Sequence, residues 1–118
     1  MQAVWVELPV RDLERAATFY QTVFGLPAGE ISDEGVRRTI TLVNPGESGP
    51  GVSLNQTANF EPSSSGTLVY LQTDSDALGR VSGAGGKIVQ DKTSMGESGY
   101  FATVQDTEGN LLALYFTA

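Results

Sequence analysis

Residues 99–116 read Gly-Tyr-Phe-Ala-Thr-Val-Gln-Asp-Thr-Glu-Gly-Asn-Leu-Leu-Ala-Leu-Tyr-Phe. Two apolar runs flank Asp106-Thr107-Glu108-Gly109-Asn110. Asp, Gly and Asn accept the left-handed or side-chain-bonded conformations that a tight reversal needs, so the stretch predicts a β-hairpin. The same layout recurs in the first half of the chain. There Thr39-Ile40-Thr41-Leu42-Val43 leads into Asn44-Pro45-Gly46, and Gly51-Val52-Ser53-Leu54-Asn55 returns.

Working outward, each hairpin is preceded by a strand and a helix. Val4 to Val10 alternates and predicts a strand. Asp12 is placed to cap a helix whose apolar stripe is Leu13, Ala16, Ala17, Tyr20, Val23 and Phe24. Gly25 stands at the expected left-handed C-terminal cap, and Pro27 prevents resumption. Further strands are expected near 28–32, 36–43 and 51–56. Thr57 to Gly66 is polar and rich in breakers, which predicts a linker at about 58–65. The second half starts again with a strand at Thr67–Thr73. A short helix near 75–84 follows, capped by Asp74 or Ser75 and anchored by Leu78 and Val81. Strands near 87–92, 99–105 and 110–117 complete it. The reading is an α+β fold: one domain of two tandem βαβββ modules, about 1–57 and 66–118.

Alternation assigns sheet faces. Val4, Val6, Leu8, Val52, Leu54, Val69, Leu71, Leu112, Leu114 and Phe116 are expected beneath the helices. The opposite faces carry Trp5, Glu7, Ser53, Asn55, Leu68, Tyr70, Gln72, Leu111, Ala113 and Tyr115. That mixture suits the lining of a hollow better than a water-facing surface.

Composition narrows the chemistry. The 118 residues hold no His and no Cys, which removes the usual zinc and transition-metal ligands and every His- or Cys-based nucleophilic triad. Acid–base work would fall to a carboxyl, Lys or Tyr. Fourteen acids against seven bases give a net charge of −7, which argues against nucleic acid and would attract a cationic small molecule. No apolar run reaches the ~20 residues of a membrane span, and the start lacks the basic region of a signal peptide. A cysteine-free chain points to a cytoplasmic location. Gly83-Ala84-Gly85-Gly86 is not followed by the Lys-Ser/Thr pair of a phosphate loop.

Pro9-Val10-Arg11-Asp12-Leu13-Glu14-Arg15-Ala16 followed by Phe19-Tyr20-Gln21-Thr22-Val23-Phe24-Gly25-Leu26 resembles the opening of the vicinal oxygen chelate superfamily. That group holds glyoxalase I, bleomycin-resistance proteins, fosfomycin-resistance enzymes and extradiol dioxygenases. Gly99-Tyr100-Phe101-Ala102 with Asp106 to Asn110 resembles its closing hairpin, with Thr107 in place of the customary Pro. The resemblance covers nearly the whole chain. It implies two modules curved around a cup, often completed by a homodimer. It also implies a metal ligand on each of four strands, at positions matching Trp5, Ser53, Leu68 and Ala113. None of these holds a metal well, which argues against metal-dependent glyoxalase, dioxygenase or fosfomycin chemistry. An atypical ion site at Glu7 and Asn55 would rest on a single carboxylate.

The expected ligand-binding set is therefore Trp5, Glu7, Ser53, Asn55, Leu68, Tyr70, Gln72, Ala113 and Tyr115, with no metal and no cofactor. Trp5 can stack on a planar or cationic ligand, or plug the cup. Glu7 is the candidate catalytic base, or a structural carboxylate paired with Arg37 or Arg38. Tyr70 and Tyr115 can donate hydrogen bonds into the cup or simply pack, and Lys92 to Gly99 is either a flap or a connecting loop. The functional expectation is metal-independent sequestration of a small molecule such as an antibiotic or metabolite. One rival is a lyase, isomerase, epimerase or dioxygenase-type enzyme of the same superfamily, using Glu7 as base or an atypical metal site. Another is a structural subunit with a filled cup.

Overall fold

The computed structural model describes residues 1–46 and 49–118. Chain order is β1 (Trp5–Pro9), α1 (Leu13–Phe24), β2 (Ile31–Asp33), β3 (Arg37–Val43), β4 (Gly51–Thr57), β5 (Tyr70–Gln72), α2 (Ala77–Arg80), β6 (Lys87–Ser94), β7 (Tyr100–Gln105) and β8 (Leu111–Phe116). These strands form two four-stranded mixed sheets, ordered β1-β4-β3-β2 and β5-β8-β7-β6. In each sheet the first strand runs parallel to the last, and the remaining neighbours are antiparallel. The α+β fold with repeated βαβββ order is thus the observed architecture. Residues 58–69 contain neither helix nor strand.

Local chemistry explains where α1 begins and ends. The Asp12 carboxylate accepts the Arg15 N–H at 3.0 Å, the expected cap of a helix start. Gly25 takes φ 67°, the left-handed conformation that a side chain would disfavour, and its N–H bonds back to the Gln21 carbonyl. Between these ends Leu13, Phe19, Tyr20 and Val23 are fully buried, each contributing roughly 1.5–3 kcal/mol of apolar burial. Phe19 was absent from the stripe read in the sequence and belongs to it. It reaches the second module, where its ring occupies the space a side chain at Gly86 would fill.

The second helix is one turn, Ala77–Arg80, rather than the span 75–84. Gly79, Ser82, Gly83, Gly85 and Gly86 crowd this segment, and each Gly in a helix interior costs about 1 kcal/mol relative to Ala. Asp74 does not cap it; its carboxylate closes an Asx turn on the Asp76 N–H at 2.9 Å. Arg80 instead reaches across to the Val23 carbonyl at 2.7 and 3.0 Å, filling orphan acceptor capacity at the end of α1.

One core cluster takes Leu8, Ile40, Val52 and Leu54 from the first sheet and Ala102, Val104, Leu112, Leu114 and Phe116 from the second. The expected covered faces hold for Leu8, Val52, Leu54, Leu112, Leu114 and Phe116; Val6, Val69 and Leu71 are partly buried against the same core. Val4 is a correction. It lies before β1, beyond the parallel pairing of Trp5–Pro9 with Gly51–Asn55, and is exposed. Leu68 is another: regular pairing of β5 begins at Tyr70, so Leu68 precedes the strand that was to carry it.

Candidate functional site

Register places Trp5, Glu7 and Pro9 beside Gly51, Ser53 and Asn55, and those in turn beside Thr41 and Thr39. All point away from α1, because their alternating neighbours Leu8, Leu54 and Ile40 fill the core. Arg37 pairs with Thr57 on this same face. Arg38 falls on the other, where it bonds Glu14 at 2.6 Å and approaches Asp33 at 3.7 Å. Of the two arginines open to Glu7, Arg37 is the one that shares its face and pairs with it.

Arg37 organises the face. Its Nη2 donates to Glu7 Oε1 at 2.9 Å and to Asn55 Oδ1, and its Nε donates to Thr39 Oγ1 at 3.4 Å. Thr39 donates to Asn55 Oδ1 at 2.8 Å, and Asn55 Nδ2 donates to Ser53 Oγ at 2.9 Å. The Glu7 hydrogen bond raises the Arg37 pKa above its already high ordinary value. Among the described residues no buried side-chain nitrogen or oxygen lacks a partner. The network is closed, so Ser53 and Asn55, both without exposed surface, act as its floor rather than as free ligand contacts.

Above that floor lies a cleft of about 300 Å³ bordered by Trp5, Glu7, Glu34, Arg37 and the hydroxyls of Ser32, Thr39, Thr41 and Ser53. Trp5 is 41% exposed, and its indole rests where a side chain at Gly51 would be: a Cβ there would come within 2.3 Å of the ring. Glycine thus lets the indole lie on the backbone of β4, beside Pro45. Thr39 and Thr41 were legible as alternating with Ile40 and Leu42, yet they were missed as site residues. Carrying the parity of Ser53 across the hairpin would have found them. Ser32 and Glu34 carried no such signal, because residues 28–38 do not alternate cleanly.

The second sheet presents a different face. Tyr70 and Gln72 pair with Ala113 and Tyr115, and Phe101 joins them from β7. Tyr70 is exposed with its ring 6.3 Å from that of Phe101. Ala113 is fully buried among its neighbours. The Tyr115 hydroxyl donates to the Ser98 carbonyl, which ties the 3-10 turn at Gly96–Ser98 to β8.

The nine expected residues are not gathered into one cleft. Trp5, Glu7 and Ser53 share the cleft on the first sheet. Tyr70 and Gln72 border another, of about 430 Å³, between β5 and the end of α1. Asn55, Leu68, Ala113 and Tyr115 border neither of these two. The reason lies in how the modules meet: β1 and β5 are edge strands of separate sheets, and the chain joins its halves through α1 and the β7–β8 turn.

A metal does not fit these residues. Among the described residues no group of three His, Cys, Asp or Glu side chains could hold one. Glu7, the carboxylate nearest the matched positions, is occupied by a guanidinium that would repel a second cation. No helix is long and apolar enough to cross a membrane among the described residues.

Comparison with known proteins points one way. The family model for the Glyoxalase/Bleomycin resistance protein/Dioxygenase superfamily matches residues 2–114. No curated protein matches the sequence. Among solved structures, a glyoxylase/bleomycin resistance protein/dioxygenase domain from Frankia sp. EAN1pec is similar with a TM-score of 0.74 at 17% identity, over 100% of this chain and 98% of that one. A glyoxalase-related enzyme from Fulvimarina pelagi gives 0.70 at 20% identity, over 98% and 88%. An E144Q glyoxalase I mutant from Zea mays gives 0.71 at 20% identity, over 97% of this chain but 46% of that longer one. At these identities the likeness is one of fold.

Proposed function

The chain belongs to the Glyoxalase/Bleomycin resistance protein/Dioxygenase superfamily, and from that premise we propose that it is a metal-independent small-molecule binder. One observation carries the reading. The helix-averted face of the first sheet offers an exposed indole, a Glu7–Arg37 pair and a row of hydroxyls around a cleft of about 300 Å³, with no metal-binding cluster among the described residues. Such a surface binds by stacking and hydrogen bonding.

Of the expected set, Trp5 and Glu7 offer exposed contacts to the cleft and Ser53 lies in its floor; Tyr70, Gln72 and Tyr115 belong to a second face that a homodimer would bring opposite the first. The outer edges of β1 and β5, each paired on its inner side alone among the described residues, support that pairing. A cytoplasmic location is part of the same reading, supported by the absence of cysteine. Glu7 serves as an acceptor for the ligand here, and as a general base only if turnover is found.

The test is a thermal-shift screen of metal-stripped protein against antibiotics and planar or cationic metabolites, with elemental analysis alongside. A ligand selective for the native state raises the melting temperature in proportion to its excess over Kd. Stabilisation without metal supports the proposal. Stoichiometric metal in protein purified without added ions, with binding that disappears on chelation, overturns it. If turnover is found, an unchanged rate in Glu7→Gln removes Glu7 as the base.

A further inference from the structure

The cleft beside Trp5 specifies more than a small molecule. We propose that it binds a compact polyhydroxylated ring carrying a protonated amine, an amino sugar or aminocyclitol; this rests on the binding function proposed above. Three observations converge.

The first is polarity. Apart from the indole, every side chain bordering the cleft among the described residues is a hydroxyl, a carboxylate or a guanidinium. An apolar ligand would bury the Ser32 and Thr41 hydroxyls and the Glu34 carboxylate without partners, at a cost of about 1–3 kcal/mol each. A polyol satisfies them. Thr41 and Ser32 make no side-chain hydrogen bond among the described residues, so their hydroxyls are free to bond a ligand. Glu7 and Arg37, 2.9 Å apart, set an acceptor beside a donor, the pattern that two neighbouring ring hydroxyls match.

The second is charge. Arg37 is already committed to Glu7, Asn55 and Thr39. Glu34 stands next to it because its N–H donates to the Arg37 carbonyl at 2.9 Å across the β2–β3 turn. The Glu34 carboxylate adds to the field on Arg37 but forms no ion pair among the described residues. Among the described residues, two carboxylates against one guanidinium give the cleft one net negative charge, in a chain of net charge −7. A cation is drawn to such a site, and a protonated amine on the ring meets Glu34.

The third is the platform. The indole is fixed from below by the backbone at Gly51 and half-exposed above. The C–H face of a sugar-like ring stacks on such a surface, and the amine gains a cation–π contribution. A cleft of about 300 Å³ lies at the small end of the usual ligand range, roughly 300–1,000 Å³, which suits one ring rather than a drug-sized molecule.

Trp5 is the single tryptophan of the chain, so its emission reports on this cleft alone. Native protein is titrated with glucosamine and 2-deoxystreptamine below neutral pH, and with glucose, N-acetylglucosamine and ethanolamine as controls. The proposal expects a saturable change in Trp5 emission with at least one of the two amine-bearing rings. It expects binding at least about tenfold weaker for all three controls, and a similar loss in Glu34→Gln and Thr41→Val, whose folding is checked by circular dichroism. It is overturned if glucose or ethanolamine matches the amine-bearing rings, if neither ring binds, or if Glu34→Gln folds and binds as the parent does. If neither ring binds but a compound from the thermal-shift screen perturbs Trp5, the sugar-amine assignment fails while the binding function stands.

Discussion

The Glu108 carboxylate receives both Nε and Nη2 of Arg15, at 2.8 and 2.9 Å, across 93 positions of sequence. The same carboxylate accepts the backbone N–H groups of Arg11 and Asp12 at the start of α1 and the Thr107 hydroxyl. An anion from the second module's turn thus sits at the positive end of the first module's helix. Burial pushes the Glu108 pKa up, but Arg15, the Asp12 N–H, the Thr107 hydroxyl and the Arg11 N–H outweigh it and hold the value at about 2, below the ordinary 4.5. A carboxylate whose folded pKa is depressed stabilises above its unfolded pKa, and that contribution is lost as pH falls through the folded value. Urea unfolding should therefore show Glu108 contributing fully above pH 4.5 and progressively less down to pH 2. Glu108→Gln should lose about 2 kcal/mol at pH 7 and flatten that part of the acid profile. An unchanged profile would remove Glu108 as the clamp.

Tyr20 makes a second link between the modules. Its hydroxyl, in a fully buried side chain, donates to Asp106 Oδ2 at 2.6 Å. Burial and the neighbouring Asp106 and Glu108 carboxylates raise its pKa well above 10. A phenol with a raised folded pKa contributes fully below its unfolded value, and that contribution is lost as pH climbs past it. Alkaline titration followed at the tyrosinate absorbance should show the Tyr20 step only together with unfolding, and Tyr20→Phe should abolish that step. The substitution should cost about 1–2 kcal/mol at neutral pH, since Asp106 keeps bonds from the Glu108 and Asn110 N–H groups and Asn110 Nδ2.

These links mark the boundary of what a sequence discloses. The ends of α1 were legible at Asp12 and Gly25 because capping is local chemistry, complete within four residues. The sheets were legible wherever apolar and polar residues alternate, as in β4 and β8. The turn at Asp106–Asn110 was read only as a reversal, because Arg15 and Tyr20 lie 93 and 86 positions away. The start of β5 and the length of α2 were misjudged where packing and crowded glycines override propensity. At the candidate site, Trp5 and Glu7 followed from alternation along one strand. Glu34 and Arg37 needed the register of a hairpin whose own pattern is too irregular to fix it.

Arg37 and Arg38 are adjacent in sequence and opposite in role, which a matched pair of substitutions can separate. Arg37→Gln removes the donor that Glu7, Asn55 and Thr39 share, so a network with buried Asn55 and Ser53 beneath it loses its centre. Arg38→Gln breaks partly exposed pairs with Glu14 and Asp33, and such pairs contribute little. Arg37→Gln should lower the melting temperature clearly and alter Trp5 emission. Arg38→Gln should leave emission unchanged and shift the melting temperature less. Equal effects, or the reverse order, would contradict the assignment of faces.

Gly51→Ala should disturb the candidate site through one added carbon. The new Cβ would stand 2.3 and 2.5 Å from indole carbons of Trp5 and 2.9 Å from Pro45, distances that force the ring to move. Overpacking of this kind costs about 1–3 kcal/mol, and a ring that lifts off the strand is more open to water. Red-shifted Trp5 emission, faster quenching by acrylamide and weaker ligand binding are the expected readings, with Thr41 and Glu34 untouched. Placing Gly51→Ala in a Trp5→Leu background tests the cause. A short aliphatic chain vacates the space, so the alanine should then cost markedly less than it does beside tryptophan, giving a non-additive cycle. An additive cycle would mean that the close approach of indole to backbone does not govern this corner of the sheet.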